Sequence, residues 1–107
     1  MEAFTALADP VRRDIVAMLA ERERTAGEIA DRFDAISRPA VSRHLKVLRK
    51  AGLAKVRGDA QRRIYSLDPG PLDETTAWLE RQKQIWARKF DALGAHLDKM
   101  AEEEGHR

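Results

Sequence analysis

The chain has 107 residues, 43% hydrophobic and 36% charged, with no cysteine and a formal net charge of +2. That length supports one domain with a modest core, expected to span residues 1–107. No apolar run is long enough to span a membrane, and the lack of cysteine removes disulfides, thiolate metal sites, cysteine nucleophiles and thiol redox sensing together. No secretory leader opens the sequence, so the expected compartment is the cytoplasm. The histidines are His44, His96 and His106, no two of them at i, i+4 on a helix. A metal site would need carboxylates or a second subunit.

Met1 to Ala8 places Phe4, Leu7 and Ala8 at i, i+3, i+4, which predicts a helical turn or two that needs a partner to cover it. Asp9-Pro10 restarts the chain as an N-cap and a first helical proline. Val11, Ile15, Met18 and Leu19 form the buried stripe of that helix, which is expected to end near Ala20. Glu21-Arg22-Glu23-Arg24 then reads as a solvated linker. Thr25-Ala26-Gly27-Glu28 fits a capping box, with Ile29, Ala30 and Phe33 as core residues of a supporting helix over 25–33. Asp34-Ala35-Ile36 is the turn that follows.

Ser37 to Leu67 is the stretch around which the rest is built. Ser37 caps a helix, Pro39 suits its first turn, and Ile36 and Val41 are spaced for a hydrophobic staple. At about 100° per residue, Val41, Leu45 and Leu48 share one face, while Pro39, Arg43, Lys46 and Lys50 fall nearly opposite. Gly52 suits the left-handed residue just past the helix end. A hairpin is expected next, with Ala54 to Arg57, a turn through Gly58-Asp59-Ala60-Gln61, and Arg63 to Leu67. A helix followed by a basic two-stranded ribbon predicts a winged helix-turn-helix, with the helix-turn-helix over 25–50 and the wing over 54–67.

Charge sharpens this reading. Ser37 to Arg63 holds 9 basic residues against the single acid Asp59, a net of +8. The remainder of the chain holds 11 basic and 17 acidic residues, a net of −6. A concentrated basic face beside acidic flanks is the electrostatic footprint of a nucleic-acid binder that docks in one orientation. The plain alternative is a solvated helix face, but such faces mix both signs.

Asp68-Pro69-Gly70-Pro71 reads as a rigid break. One long helix then runs from about Leu72 to Ala101, with Leu72, Leu79, Trp86, Leu93 and Met100 recurring every seven residues and Phe90 and Leu97 in a second line beside them. Trp78 and Ile85 widen the stripe. About 45 Å of helix is more than so small a core can cover. Packing against a second copy, joined by the first helix, explains it; an intramolecular lid is the alternative. The expected dimer helices are 1–8 and 72–101, with Phe4, Leu7, Leu79, Trp86, Phe90, Leu93 and Leu97 at the seam. Residues 102–107 read as a frayed tail.

The segments F-T-A-L-A-D-P-V-R-R-D-I-V, T-A-G-E-I-A, R-P-A-V-S-R-H-L-K-V-L-R-K-A-G-L-A and R-R-I-Y-S-L-D together resemble the ArsR/SmtB family of bacterial winged-helix transcriptional regulators. The likeness covers roughly residues 3–100. P-L-D-E-T-T-A-W-L-E-R-Q-K-Q-I-W with L-G-A-H-L-D is similar to its cysteine-poor, SdpR-like subgroup of autorepressors. The resemblance implies a mainly α fold with a small β-hairpin wing, and a homodimer joined through the first and last helices. It also implies one recognition helix per subunit in the major groove and repression of a promoter, often the regulator's own. Metal-sensing members carry a Cys-x-Cys type motif where this chain has Ala26-Gly27-Glu28-Ile29. Others bind zinc on the last helix; here Asp91, His96 and Asp98 are present but a second His/Glu pair is missing. No metal or cofactor is expected, and zinc should neither bind tightly nor release the protein from DNA.

Individual roles follow from side-chain chemistry. Arg38 is the leading candidate to read a guanine edge, with a phosphate clamp as its alternative. Ser42 and Arg43 follow one turn on, beside Pro39. Ser37 caps the helix or donates to a phosphate. Lys46 and Lys50 hold phosphates, and Arg57, Arg62 and Arg63 serve the wing. His44 is expected to be packed at the boundary, and Tyr65 to cover core or to stack on DNA. No activated nucleophile, apolar carboxylate pair or glycine-rich phosphate loop points to an enzyme. The rival function is a winged-helix adaptor whose basic face meets an acidic protein.

Overall fold

The computed structural model describes residues 2–105. Met1 of the first expected helix, and His106 and Arg107 of the expected tail, lie outside them. The described elements are helices α1 (Glu2–Ala6) and α2 (Pro10–Glu21), strand β1 (Arg24–Thr25), helices α3 (Ala26–Asp31) and α4 (Arg38–Lys50), strands β2 (Ala54–Asp59) and β3 (Arg62–Leu67), and helix α5 (Gly70–Gly105). The chain divides into two compact units, one reaching to Thr75 and one beginning at Thr76.

Three helices of the first unit start where their caps dictate. Asp9 Oδ1 accepts from the amides of Val11 (2.8 Å) and Arg12 (3.2 Å), opening α2. Thr25 and Glu28 form the reciprocal capping box of α3, and Ser37 Oγ accepts from Ala40 N at 3.2 Å to open α4. The apolar stripes these starts set in phase meet in one core. Ile15, Leu19, Ile29, Val41, Leu45 and Leu48 contribute from the helices, and Leu53, Ala54 and Tyr65 from the sheet side. Ile36 is half-buried against the same core, as a staple to Val41 requires. Tyr65, with 7% exposure, is a core residue rather than a stacking platform.

The five residues of α1 are too few to hold a helix in isolation. Ala3 and Ala6 are buried, and two guanidinium groups of α2 satisfy the carbonyls at the helix end. Arg12 donates to Ala6 O (Nε, 2.6 Å) and Thr5 O (Nη2, 3.2 Å), while Arg13 Nη1 donates to Leu7 O at 2.9 Å. The Leu7 side chain packs, partly buried, on the core of its own unit, and Phe4 keeps 37% exposure.

The sheet differs from the expected two-stranded ribbon. It has three antiparallel strands in the order β1-β3-β2, with Arg24 opposite Tyr65 and Thr25 opposite Ile64. Arg24, expected in a solvated linker, is a strand residue because β3 offers it an edge; two residues are too few to carry an alternation of their own. The hairpin is also tighter than expected. Gly58 and Asp59 pair with Arg63 and Arg62, leaving Ala60-Gln61 as a two-residue turn with Ala60 at φ +56°.

The end of α4 is a Schellman motif. Leu53 N donates to Leu48 O and Gly52 N to Arg49 O, both at 3.0 Å, with Gly52 at φ +77°. Leu48 and Leu53, the apolar pair of the motif, are both completely buried. This joint fixes how the chain leaves α4 for β2. Gly52→Ala forces a side-chain-bearing residue into the left-handed region, a cost of about 1–2 kcal/mol. We expect the variant to keep its far-ultraviolet circular dichroism and to melt several degrees lower; an unchanged melting temperature would show that the joint tolerates a Cβ.

The expected break at 68–71 is instead a helix start. Asp68 Oδ1 accepts from Gly70 N (3.0 Å), Asp73 N donates to Pro69 O (2.9 Å), and Pro71 sits in the first turn, where its missing N–H costs nothing. In the second unit the helix continues through Gly105, so residues 102–105, expected to fray, are helical. Leu79, Ile85, Trp86, Phe90, Leu93, Leu97 and Met100 are each exposed there. The Trp86 and Phe90 rings lie 5.8 Å apart, and Lys89 Nζ stands 5.2 Å from the Trp86 ring.

Candidate nucleic-acid interface

Helix α4 carries the site because its two faces are so unlike. Val41, Leu45 and Leu48 are buried, which turns Pro39, Ser42, Arg43, Lys46, Arg49 and Lys50 outward, all exposed. Arg43, Lys46, Arg49 and Lys50 form no ion pair among the described residues, nor does Arg63 of β3. Arg38, the first helical residue, is exposed and donates through Nη2 to Asp31 Oδ1 at 3.1 Å. Ser37 is engaged as the cap.

The wing contributes from β2 and β3. Arg57 Nη2 lies 2.8 Å from Glu23 Oε2, and Arg62 Nη2 lies 3.0 Å from Asp59 Oδ2 across the hairpin turn. Between α4 and β2 runs an open groove of about 610 Å³ lined by Lys46, Arg49, Lys50, Ala54, Lys55 and Val56. Arg49 and Lys55 were not among the candidate contacts. Arg49 flanks the outward face rather than centring it, and Lys55 reaches the groove only through the strand placement. Lys55 Nζ also stands 3.5 Å from Asp68 Oδ2. The Gly70 amide, and after it Lys55, more than offset burial and hold the Asp68 carboxyl below its usual range.

His44 is half-buried on the inner flank of α4, where the boundary reading placed it. Arg12 Nη1 lies 3.2 Å from His44 Nδ1, and since a guanidinium only donates, Nδ1 accepts. Asp9 Oδ1 stands farther off at 3.9 Å, beyond hydrogen-bond length. Burial acts to raise the Asp9 carboxyl, but the Arg12 and Val11 amides, with the Arg12 charge, hold it below its ordinary value. Arg12 thus ties α1, α2 and α4 together.

Among the described residues, no three His, Asp or Glu side chains come together as a metal donor set. Glu28, the carboxylate of the Ala26-Gly27-Glu28-Ile29 segment, is taken up by its Thr25 cap and by Arg22 at 2.9 Å.

Residues 7–57 match the profile of a helix-turn-helix domain. The chain is 43% identical over 96 residues to the HTH-type transcriptional regulator Rv2034 of Mycobacterium tuberculosis, covering 90% of this chain and 86% of that protein. It is 37% identical over 76 residues to the transcriptional repressor SdpR of Bacillus subtilis, covering 71% and 83% respectively. An ArsR-like transcriptional regulator from Rhodococcus sp. RHA1 superposes with a TM-score of 0.81 at 28% identity, over 92% of this chain and 89% of that one. This chain belongs to the ArsR/SmtB family. It is a winged helix-turn-helix transcriptional regulator, and α3, α4 and the β2–β3 wing are the parts of that fold just described. As an ArsR/SmtB member without cysteine, it carries no thiolate on α3.

Proposed function

We propose that this regulator is a homodimeric repressor that binds an inverted-repeat operator in duplex DNA, acting in the cytoplasm with its own promoter region among its targets. The observation that carries the reading is the ridge of Arg43, Lys46, Arg49 and Lys50, exposed and without ion pairs among the described residues, opposite the buried face of α4. A ridge of that kind neutralises phosphates, while the N-terminal turn of the same helix presents side chains to base edges. Arg38, Ser42 and Arg43, beside Pro39, then face the major groove, and Ser37 approaches a phosphate from the helix start. Lys46 and Lys50 hold the backbone, and Arg57, Arg62 and Arg63 bring the wing to an adjoining stretch. The exposed Leu79, Trp86, Phe90, Leu93 and Leu97 support a seam between two copies, with Phe4 contributing from the first helix, whereas Leu7 packs on its own core. In this architecture 1–8 and 72–101 serve dimerisation, 25–50 the helix-turn-helix and 54–67 the wing.

The test is binding to duplex DNA from upstream of its own gene, across a salt series. Log affinity should fall linearly with log salt, by about 0.9 per phosphate contacted. Stoichiometric capture of an acidic protein, with no affinity for any duplex, would replace the regulator by the adaptor reading.

A further inference from the structure

Two of the arginines assigned to DNA are already held by carboxylates from outside the basic segment. Arg38 is bound by Asp31 at the end of α3, and Arg57 by Glu23 in the loop before β1. The second pair joins residues 34 apart in sequence. It exists because Thr25 and Arg57 both lie opposite Ile64, on either side of β3, so the Arg57 side chain reaches across the central strand. Each pair stands at one border of the cationic ridge, the first at the start of α4 and the second on the wing.

We propose that Glu23 and Asp31 are internal counter-ions that DNA phosphates have to displace, and that they thereby weaken binding to arbitrary duplex. The inference rests on the DNA-binding reading above. A carboxylate and a phosphate present oxygens to the same guanidinium fork, so they compete for the same donors. Both pairs are solvent-exposed, with side-chain exposures of 73% and 73% for Arg38–Asp31 and 57% and 52% for Arg57–Glu23. Exposed pairs are weak, which suits exchange rather than structural support. Displacement also leaves a carboxylate standing beside the phosphate that replaced it. Arg43, Lys46, Arg49 and Lys50 carry no such cost. Duplex that offers only its backbone therefore gains the ridge cheaply but gains Arg38 and Arg57 at a penalty, which operator base contacts can offset.

The experiment uses the full chain, a random-sequence duplex at low salt, and fluorescence anisotropy. Glu23→Gln and Asp31→Asn should each tighten binding roughly two- to five-fold. Asp34→Asn makes the same charge change at an exposed residue of the turn before α4 that has no ion pair among the described residues, and it should tighten binding less. In an Arg57→Gln background, Glu23→Gln should give no more than the Asp34→Asn effect. The gains should shrink as salt screens the freed charges. Gains no larger than that of Asp34→Asn, or weaker binding by Glu23→Gln, would overturn the proposal; weaker binding would make Glu23 a support that aims Arg57 at DNA. Wild-type protein that binds no duplex even at low salt would overturn the DNA-binding reading itself, whereas binding wild type with unresponsive variants overturns only the counter-ion role. Matching thermal melts establish that the variants are folded.

Discussion

If the proposed dimer forms, Trp86→Ala is expected to dissociate it at concentrations where the wild-type chain is paired. Trp86 is 55% exposed in the chain, so its truncation costs the isolated subunit little. At the centre of the proposed seam, flanked by Phe90 and Leu93, the same ring is the kind of anchor whose loss costs 2 kcal/mol or more, about thirty-fold in the dimer Kd for each of the two copies removed. One recognition helix buries too little to select a promoter, and the proposed dimer would set two of them about 34–36 Å apart. Affinity for a two-half-site duplex should therefore fall far more than affinity for a single half-site. Sedimentation at several concentrations, paired with binding to both duplexes, reads both effects. A wild-type chain that stays monomeric at high concentration, or a monomeric variant that binds the full operator normally, would remove the dimer from this account.

The double variant Arg43→Glu with Lys46→Glu should abolish operator binding while leaving the fold intact. Both side chains are exposed and neither has an ion pair among the described residues, so no internal contact is lost. Contacts from a charged donor are each worth about 1.5–3 kcal/mol, and losing two together weakens binding roughly a hundred-fold or more before any repulsion is counted. The salt slope should also become shallower by about 1.8 per bound subunit, for two phosphates no longer neutralised by each. Isothermal titration with the upstream duplex, beside a thermal melt, separates lost affinity from lost fold. Undiminished affinity in a folded double variant would move the DNA contact off α4.

Much of the first unit was legible because its signals are local. A serine, a threonine and an aspartate each bond amides two or three residues on, so the starts of α4, α3 and α2 could be placed without knowing what packs on them. Gly52 likewise announced the end of α4, since the left-handed backbone there is nearly closed to other residues. The contrast between Val41, Leu45 and Leu48 and the outward cations is a matter of 3.6 residues per turn, and it carried the functional reading with it.

Local signals thus sufficed for the helices, their caps, the polarity of α4 and the family they spell. Residues with no local signal found their partners only in the folded chain. Arg24–Thr25 is a strand because β3 lies beside it, and Arg12 secures α1 because packing brings the Thr5 and Ala6 carbonyls within its reach. Glu23 and Asp31 looked like ordinary acidic flank, yet folding sets each against an arginine of the basic segment. The physical reason is the same throughout. Periodicity and capping act over one or two turns of backbone, whereas a strand edge or an ion pair spanning 34 residues exists only after the chain has closed on itself.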